Sequence, residues 1–200
     1  MALEKQILND AMQTFRIEAE SLAETAKVLD PEAFSRAVEV LSGAPRIAAA
    51  GCGHTGIACR HFAHLMCCIE RPARFLSPAE AVHGGMGFLQ PGDVMLLASR
   101  GGKTDELMPI ADICCRKGIT VIGVTENTAS PLAEKSDIVL AMKVTRECDP
   151  YNCQGTTSFA VTCAIFDALQ TAVLEYTGFC NEEFAVIHPH GAVGKRLNRQ

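Results

Sequence analysis

The chain has 200 residues with 18 basic and 23 acidic side chains, a net charge of −5, 48% hydrophobic residues and 20% charged ones. That balance excludes disorder and fibrous architectures, and with no basic block before the last six residues no nucleic-acid partner is expected. No run reaches the ~18 apolar residues of a membrane span and residues 1–10 lack a basic-then-apolar leader, so the expectation is a cytoplasmic single domain with no membrane partner.

The first 45 residues carry four basic and eight acidic side chains and read as helix, broken at Asp30-Pro31 with Pro31 in the first turn of a second helix. Leu8, Met12, Phe15, Ala19, Leu22, Ala26 and Leu29 recur at spacings of four and three, a heptad stripe over residues 3–29. Such a stripe needs a cover, either its own domain or a second subunit. From Pro45 the pattern changes to apolar runs at 46–50, 73–76, 93–98, 119–124 and 137–142, read as strands. Helical patterns lie between them at 55–69, 104–117 and, shorter, 130–135, and a long helix follows residue 155. Its stripe is Val161, Ala164, Ile165, Ala168, Leu169, Ala172, Val173 and Tyr176, with Gly178 as the stop. Continuous apolar strands alternating with amphipathic helices predict an α/β three-layer sandwich with a five-stranded parallel sheet. The expected division is helices over 1–44 and an α/β core over 45–200.

Ten cysteines in a chain without an export signal do not read as a disulfide framework, and several, Cys59, Cys114 and Cys163 among them, lie in apolar periodic segments as core thiols. Cys67-Cys68 and Cys114-Cys115 are adjacent and Cys148 and Cys153 are five apart, so no zinc-type spacing exists and no metal is expected.

In an open parallel sheet, ligands bind beyond the carboxyl ends of the strands, which directs attention to the turns there. The first, Gly51-Cys52-Gly53-His54-Thr55-Gly56, matches G-x-G-x-x-G, with Gly53 for close backbone approach and Thr55 to cap or donate a hydroxyl. A nicotinamide site also requires an acidic residue at the end of the second strand, where this chain offers Ser77. Ser99-Arg100-Gly101-Gly102-Lys103-Thr104 precedes a helix and suits a phosphate, through backbone amides, the Ser99 and Thr104 hydroxyls and the Lys103 cation. A nucleoside-triphosphate loop is excluded, because its first glycine would fall at Leu97. The plain alternative is a turn capped by Thr104 with no ligand. Thr156, Thr157 and Ser158 open the long helix and offer a second anion or sugar-hydroxyl site. Glu147 lies just before them, and His83 and His188 sit in glycine-rich loops that suit binding or catalysis.

The segments GCGHTG (51–56), SPAEAVHGGMG (77–87), SRGGKTDEL (99–107), VTRECDPYNCQGTTS (144–158) and HPHGAVGKRL (188–197) together resemble the sugar isomerase (SIS) domain, most closely its D-arabinose 5-phosphate isomerase branch. The resemblance runs over about residues 5–198. It implies a flavodoxin-like sandwich that binds a phosphosugar without a cofactor and forms dimers or tetramers that share active sites. Glu147, His188 and His83 match the branch. His54 stands where the branch has Lys, Thr55 where it has Ser, Gly101 where it has a second Ser, and Lys103 where it has Glu.

On this resemblance the catalytic set is Glu147, His188, His54 and Lys103, and the substrate-binding set is Gly53, Thr55, His83, Ser99, Gly102, Thr104, Thr156, Thr157 and Ser158. The implied reaction is aldose–ketose isomerisation through an enediol, with Glu147 as base, His188 or His54 opening the ring, and Lys103 on the phosphate or the enediolate. Alternatives are a 6-phospho-3-hexuloisomerase-like enzyme and a non-catalytic phosphosugar-sensing module. Longer members of the branch continue into cystathionine-β-synthase-type repeats, which are not expected in a sequence that stops at Gln200. The acidic N-terminal segment argues against a DNA-binding regulator.

Overall fold

Residues 2–198 are described by a computed structural model. Five short runs of small and branched apolar residues pair in parallel: β1 (Ile47–Ala50), β2 (Ala73–Phe75), β3 (Val94–Ala98), β4 (Thr120–Thr125) and β5 (Ile138–Ala141), in the order β2-β1-β3-β4-β5. Ile47 pairs with Ala73 on one side and Val94 on the other, and the register continues through Val94–Thr120 and Ile122–Ile138. The chain goes outward from β1 to β2 and then returns past β1 to β3. This reversal opens a crevice between the turns that follow β1 and β3.

Both faces of the sheet are covered. On one lie α2 (Pro31–Gly43), α3 (Gly53–Cys67) and α7 (Thr157–Thr177), with α1 (Ala2–Val28) laid along α7. The other carries α4 (Pro78–Ala81), α5 (Met108–Lys117) and α6 (Pro131–Glu134). Strand alternation divides the core accordingly: Ile47 and Ala49 pack with Phe62, Met66, Phe166 and Leu169, whereas Ala48 and Ala50 pack with Met95, Leu97 and Ile110. The Phe62 and Phe166 rings join α3 to α7 with centroids 4.9 Å apart. Two short helices, α8 (Asn181–Ile187) and α9 (Gly191–Leu197), end the described chain.

The expected α/β three-layer architecture is present, with local differences. Asp30 caps α2 by accepting from the Ala33 amide at 2.7 Å, with Pro31 in the first turn. The helix expected from 104 starts instead as a single 3-10 turn, Asp105–Leu107, and becomes α-helical at Met108 with Pro109 in its first turn. Proline disfavours the α conformation in the residue before it and fits only the start of a helix. β2 keeps three residues, and Leu76 lies beyond it. By length and composition α7 is apolar enough to cross a membrane, contrary to the sequence expectation, but Val161, Ile165, Phe166, Leu169 and Val173 are buried within the domain.

Candidate functional site

The turn after β3 has a tightly fixed shape. Gly102 has a positive φ of +66°, and a Cβ there would lie 2.0 Å from Ser130 Oγ, so only glycine fits. Its carbonyl accepts from the Leu132 amide at 3.1 Å, and its own amide donates to Ser99 O and Oγ, both at 3.1 Å. The Gly102 amide, expected to face an anion, is therefore already engaged. The Ser99 and Thr104 hydroxyls meet at 2.8 Å, so Thr104 turns its side chain towards Ser99 and does not cap the helix. Among the described residues the Lys103 and Thr104 amides have no acceptor, and the Lys103 side chain is exposed.

Across the crevice, the turn after β1 packs closely enough that a Cβ on Gly56 would lie 2.6 Å from Gly51 O. This sets α3 directly on the strand end, and Gly53 and Thr55 occupy its first turn. His54 is exposed at that helix start. Its ring rests on Gly155, where a Cβ would come within 2.8 Å of Nδ1, and sits 6.4 Å from the Phe159 ring. A cleft of about 390 Å³ runs from Gly51, Cys52 and Gly53 to Arg60, Ser77 and Glu106.

Beyond β5, Glu147 is only 2% exposed. Its Oε1 accepts from Arg100 Nη1 at 2.7 Å, and its Oε2 accepts from the Thr156 amide at 3.0 Å, the Ser158 amide at 3.1 Å and the Thr156 hydroxyl at 3.3 Å. Burial pushes this carboxyl upward, but hydrogen bonds from Ser158 and Thr156 and the Arg100 charge outweigh it and hold the group below its ordinary value near 4.5. A carboxylate at the N-terminus of α7 also complements the helix dipole. The surrounding loop is densely hydrogen-bonded: the Asp149 carboxylate accepts from the amides of Tyr151, Cys153 and Gln154 at 2.8–2.9 Å, and Asn152 Oδ1 accepts from the Glu147 amide at 2.6 Å.

Ser99, Lys103, Thr104, His54 and Glu147 thus lie around one end of the sheet, as do the neighbouring Gly53, Thr55 and Gly102. Thr156 and Ser158 hold Glu147, and Thr157 is fully buried with its hydroxyl 3.2 Å from Cys148 Sγ. His83 is exposed after α4. His188 is elsewhere. α7 starts at Thr157, beside the Glu147 carboxylate, and spans ~30 Å for 21 residues, and α8 packs by its far half, near Leu174, Phe179 and the Cys68 end of α3. The His188 ring lies 5.0 Å from Phe184 of α8, and its buried Nδ1 has no partner. One chain does not bring His188 to Glu147.

Sequence reasoning passed over Arg100 and Glu126. Arg100 was visible in the turn as a polar residue after a strand, but its partner Glu126, after β4, carried no motif. Burial pushes the Cys114 thiol up to about 12 and the Cys163 thiol up to about 11, in keeping with core roles. Among the described residues no cluster of three or more His, Cys, Asp or Glu could hold a metal.

Residues 40–172 match the family described as SIS domain. The chain is 35% identical over 198 residues to the arabinose 5-phosphate isomerase KdsD of Pseudomonas aeruginosa, covering 98% of this chain and 60% of that protein. The KpsF arabinose 5-phosphate isomerase of Escherichia coli is 31% identical over 196 residues, again with 98% of this chain and 62% of the relative. The chain therefore spans about 60% of the length of these curated relatives. Among solved structures, a Listeria monocytogenes protein described as a candidate sugar-phosphate isomerase superposes with a TM-score of 0.90 at 40% identity, covering 93% of this chain and 98% of that one. An Escherichia coli protein in complex with arabinose 5-phosphate superposes with a TM-score of 0.86 at 25% identity, over 92% and 98% of the two chains.

Proposed function

The chain belongs to the SIS domain family, and from that premise we propose that it is a sugar-phosphate isomerase interconverting arabinose 5-phosphate and ribulose 5-phosphate. The observation that carries the reading is the turn 99–104, which offers two unengaged amides and an exposed lysine beside a buried carboxylate, at the strand reversal where ligands bind. The relatives named for this reaction and the structure in complex with arabinose 5-phosphate support the choice of sugar.

In this reading the Lys103 and Thr104 amides and the Lys103 ammonium take the phosphate dianion, with the Ser99 and Thr104 hydroxyls beside them. The sugar extends towards Gly53, His54 and Thr55. His54 opens the ring and then passes the hydroxyl proton from O2 to O1, while Glu147, ionised at neutral pH, accepts the proton from C2 of the aldose and returns it to C1. A carboxylate held this firmly is a weak base, so the enediolate oxygens need a hydrogen-bond donor, which the His54 ring supplies while Lys103 stays on the phosphate.

His188 enters this scheme only from a second copy. The exposed Leu8, Met12, Phe15 and Leu22 of α1 form the face on which we place the contact between copies, and α8 and α9 carry His188 to the site of the neighbour.

Incubation with arabinose 5-phosphate in deuterated water, followed by proton NMR, tests the activity. Deuterium at C1 of the ketose and C2 of the aldose is expected. Binding without exchange for any pentose or hexose phosphate would replace the enzyme with a sensing module.

A further inference from the structure

Arg100 lies in the turn assigned to the phosphate, and its side chain crosses the crown of the sheet. Its carbonyl accepts from the Thr125 hydroxyl at 3.0 Å and the Glu126 amide at 2.9 Å, which fixes its backbone on the end of β4. Its guanidinium then forks: Nε donates to Glu126 Oε2 at 3.0 Å and Nη1 to Glu147 Oε1 at 2.7 Å. Glu126 is held in turn by the Val144 amide at 3.3 Å and by Lys143 at 3.2 Å. One side chain thus links the ends of β3, β4 and β5. The planar guanidinium can hold two carboxylates in fixed directions, which an ammonium cannot.

We propose that Arg100 is a positioning residue that ties the phosphate turn to Glu147, so that anion binding at residues 99–104 and the orientation of the Glu147 carboxylate form one mechanical unit. The proposal rests on the isomerase reading for its catalytic consequence but not for the coupling itself. The charged and titratable groups around Glu147 are Arg100 from the β3 turn, Glu126 and Lys143 from the ends of β4 and β5, Arg146 and Asp149 from its own loop, and His54 from the start of α3. Glu18 of α1 lies behind, 3.9 Å from Cys148 Sγ. Arg100 is the basic side chain bonded directly to the Glu147 carboxylate among the described residues. Its removal leaves a buried carboxylate without a counter-charge, and the acid form gains.

The test compares wild type with Arg100→Met and Arg100→Lys, using carbon NMR of the Glu147 carboxyl assigned through Glu147→Gln. Inorganic phosphate is expected to move the Glu147 signal in wild type and to leave it unmoved in Arg100→Met. With arabinose 5-phosphate, Arg100→Met is expected to lower kcat about tenfold at neutral pH, to change KM far less, and to move the acid limb of the kcat profile upward. Arg100→Lys should restore part of kcat by returning the charge without the fork. Should Arg100→Met not fold, Glu126→Gln removes the second anchor while keeping Arg100, and a weakened phosphate response is expected. A phosphate response or an acid limb identical to wild type in the folded variants overturns the proposal. A wild type without turnover but with the Arg100-dependent phosphate response overturns the isomerase reading and leaves the coupling standing.

Discussion

Helix α7 buries its apolar stripe and helix α1 exposes its own. In α7, Val161, Ile165, Leu169 and Val173 point into the core at 0–3% exposure, whereas in α1 Leu8, Phe15 and Leu22 stand 62%, 66% and 38% exposed. The inward face of α1 is largely polar. Ser21 and Thr25 are buried, and with the 143–145 segment they make four hydrogen bonds: Thr25 Oγ1 to Lys143 O at 2.9 Å, Lys143 N to Thr25 Oγ1 at 3.0 Å, Thr145 N to Ser21 Oγ at 3.1 Å, and a hydroxyl pair at 3.0 Å. Ile17 is the buried apolar anchor of this helix. Net values of about 0.5–1.5 kcal/mol per hydrogen bond, against about 1.5–3 kcal/mol per buried aliphatic side chain, make α1 the more weakly held of the two. A regular stripe therefore identifies a face that needs covering without saying what covers it.

The largest expected effect is on α7. Phe166→Ala removes a buried ring packed at a tilt against Phe62 and should cost about 3–5 kcal/mol in denaturant unfolding. A loss below about 1 kcal/mol would show that α7 is no more central than α1.

Next comes the helix start that Glu147 holds. Glu147→Gln should lower turnover roughly 10²-fold while phosphosugar affinity is largely kept. Glu126 and Glu147 are both held below the ordinary carboxylate value near 4.5. Their contribution to stability is therefore complete above that value and is lost as pH falls through the depressed one. Thermal melts of wild type should weaken in that acid range, and those of Glu147→Gln should weaken less. Parallel acid curves would remove Glu147 from the balance.

Thr25→Val tests the polar seam of α1. It strands the Lys143 amide and carbonyl and should cost about 1–3 kcal/mol, where a merely packed helix would tolerate the swap. The smallest effect on the folded chain belongs to the outer face. Leu8→Lys with Phe15→Lys should change unfolding of the monomer by no more than about 0.5 kcal/mol and still shift sedimentation of the assembly towards single chains. A wild type that sediments as a monomer at micromolar concentration would sink the subunit contact.

The sequence carried much of what depends on neighbours along the chain. The Asp30-Pro31 break, the Gly178 stop and the five strands are local matters of capping, backbone freedom and side-chain alternation, and each appears where its residues lie. Turn shape was partly legible too: glycines marked the tight corners, but the contacts that demand a glycine at 102 and engage its carbonyl come from Ser130 and Leu132, far along the chain.

Contacts between strand ends were not legible. Arg100 meets Glu126 across 26 residues and Glu147 across 47, because the order β2-β1-β3-β4-β5 sets the ends of β3, β4 and β5 side by side. Distance along the chain also misled in the opposite sense. His188 shares the resemblance that singles out Glu147, yet the straight run of α7 carries it to the other end of the domain. Periodicity and capping act over a few residues and are written in the sequence. Which loops converge, and which helix face remains open, is settled only when the sheet order and the helix lengths are combined in three dimensions.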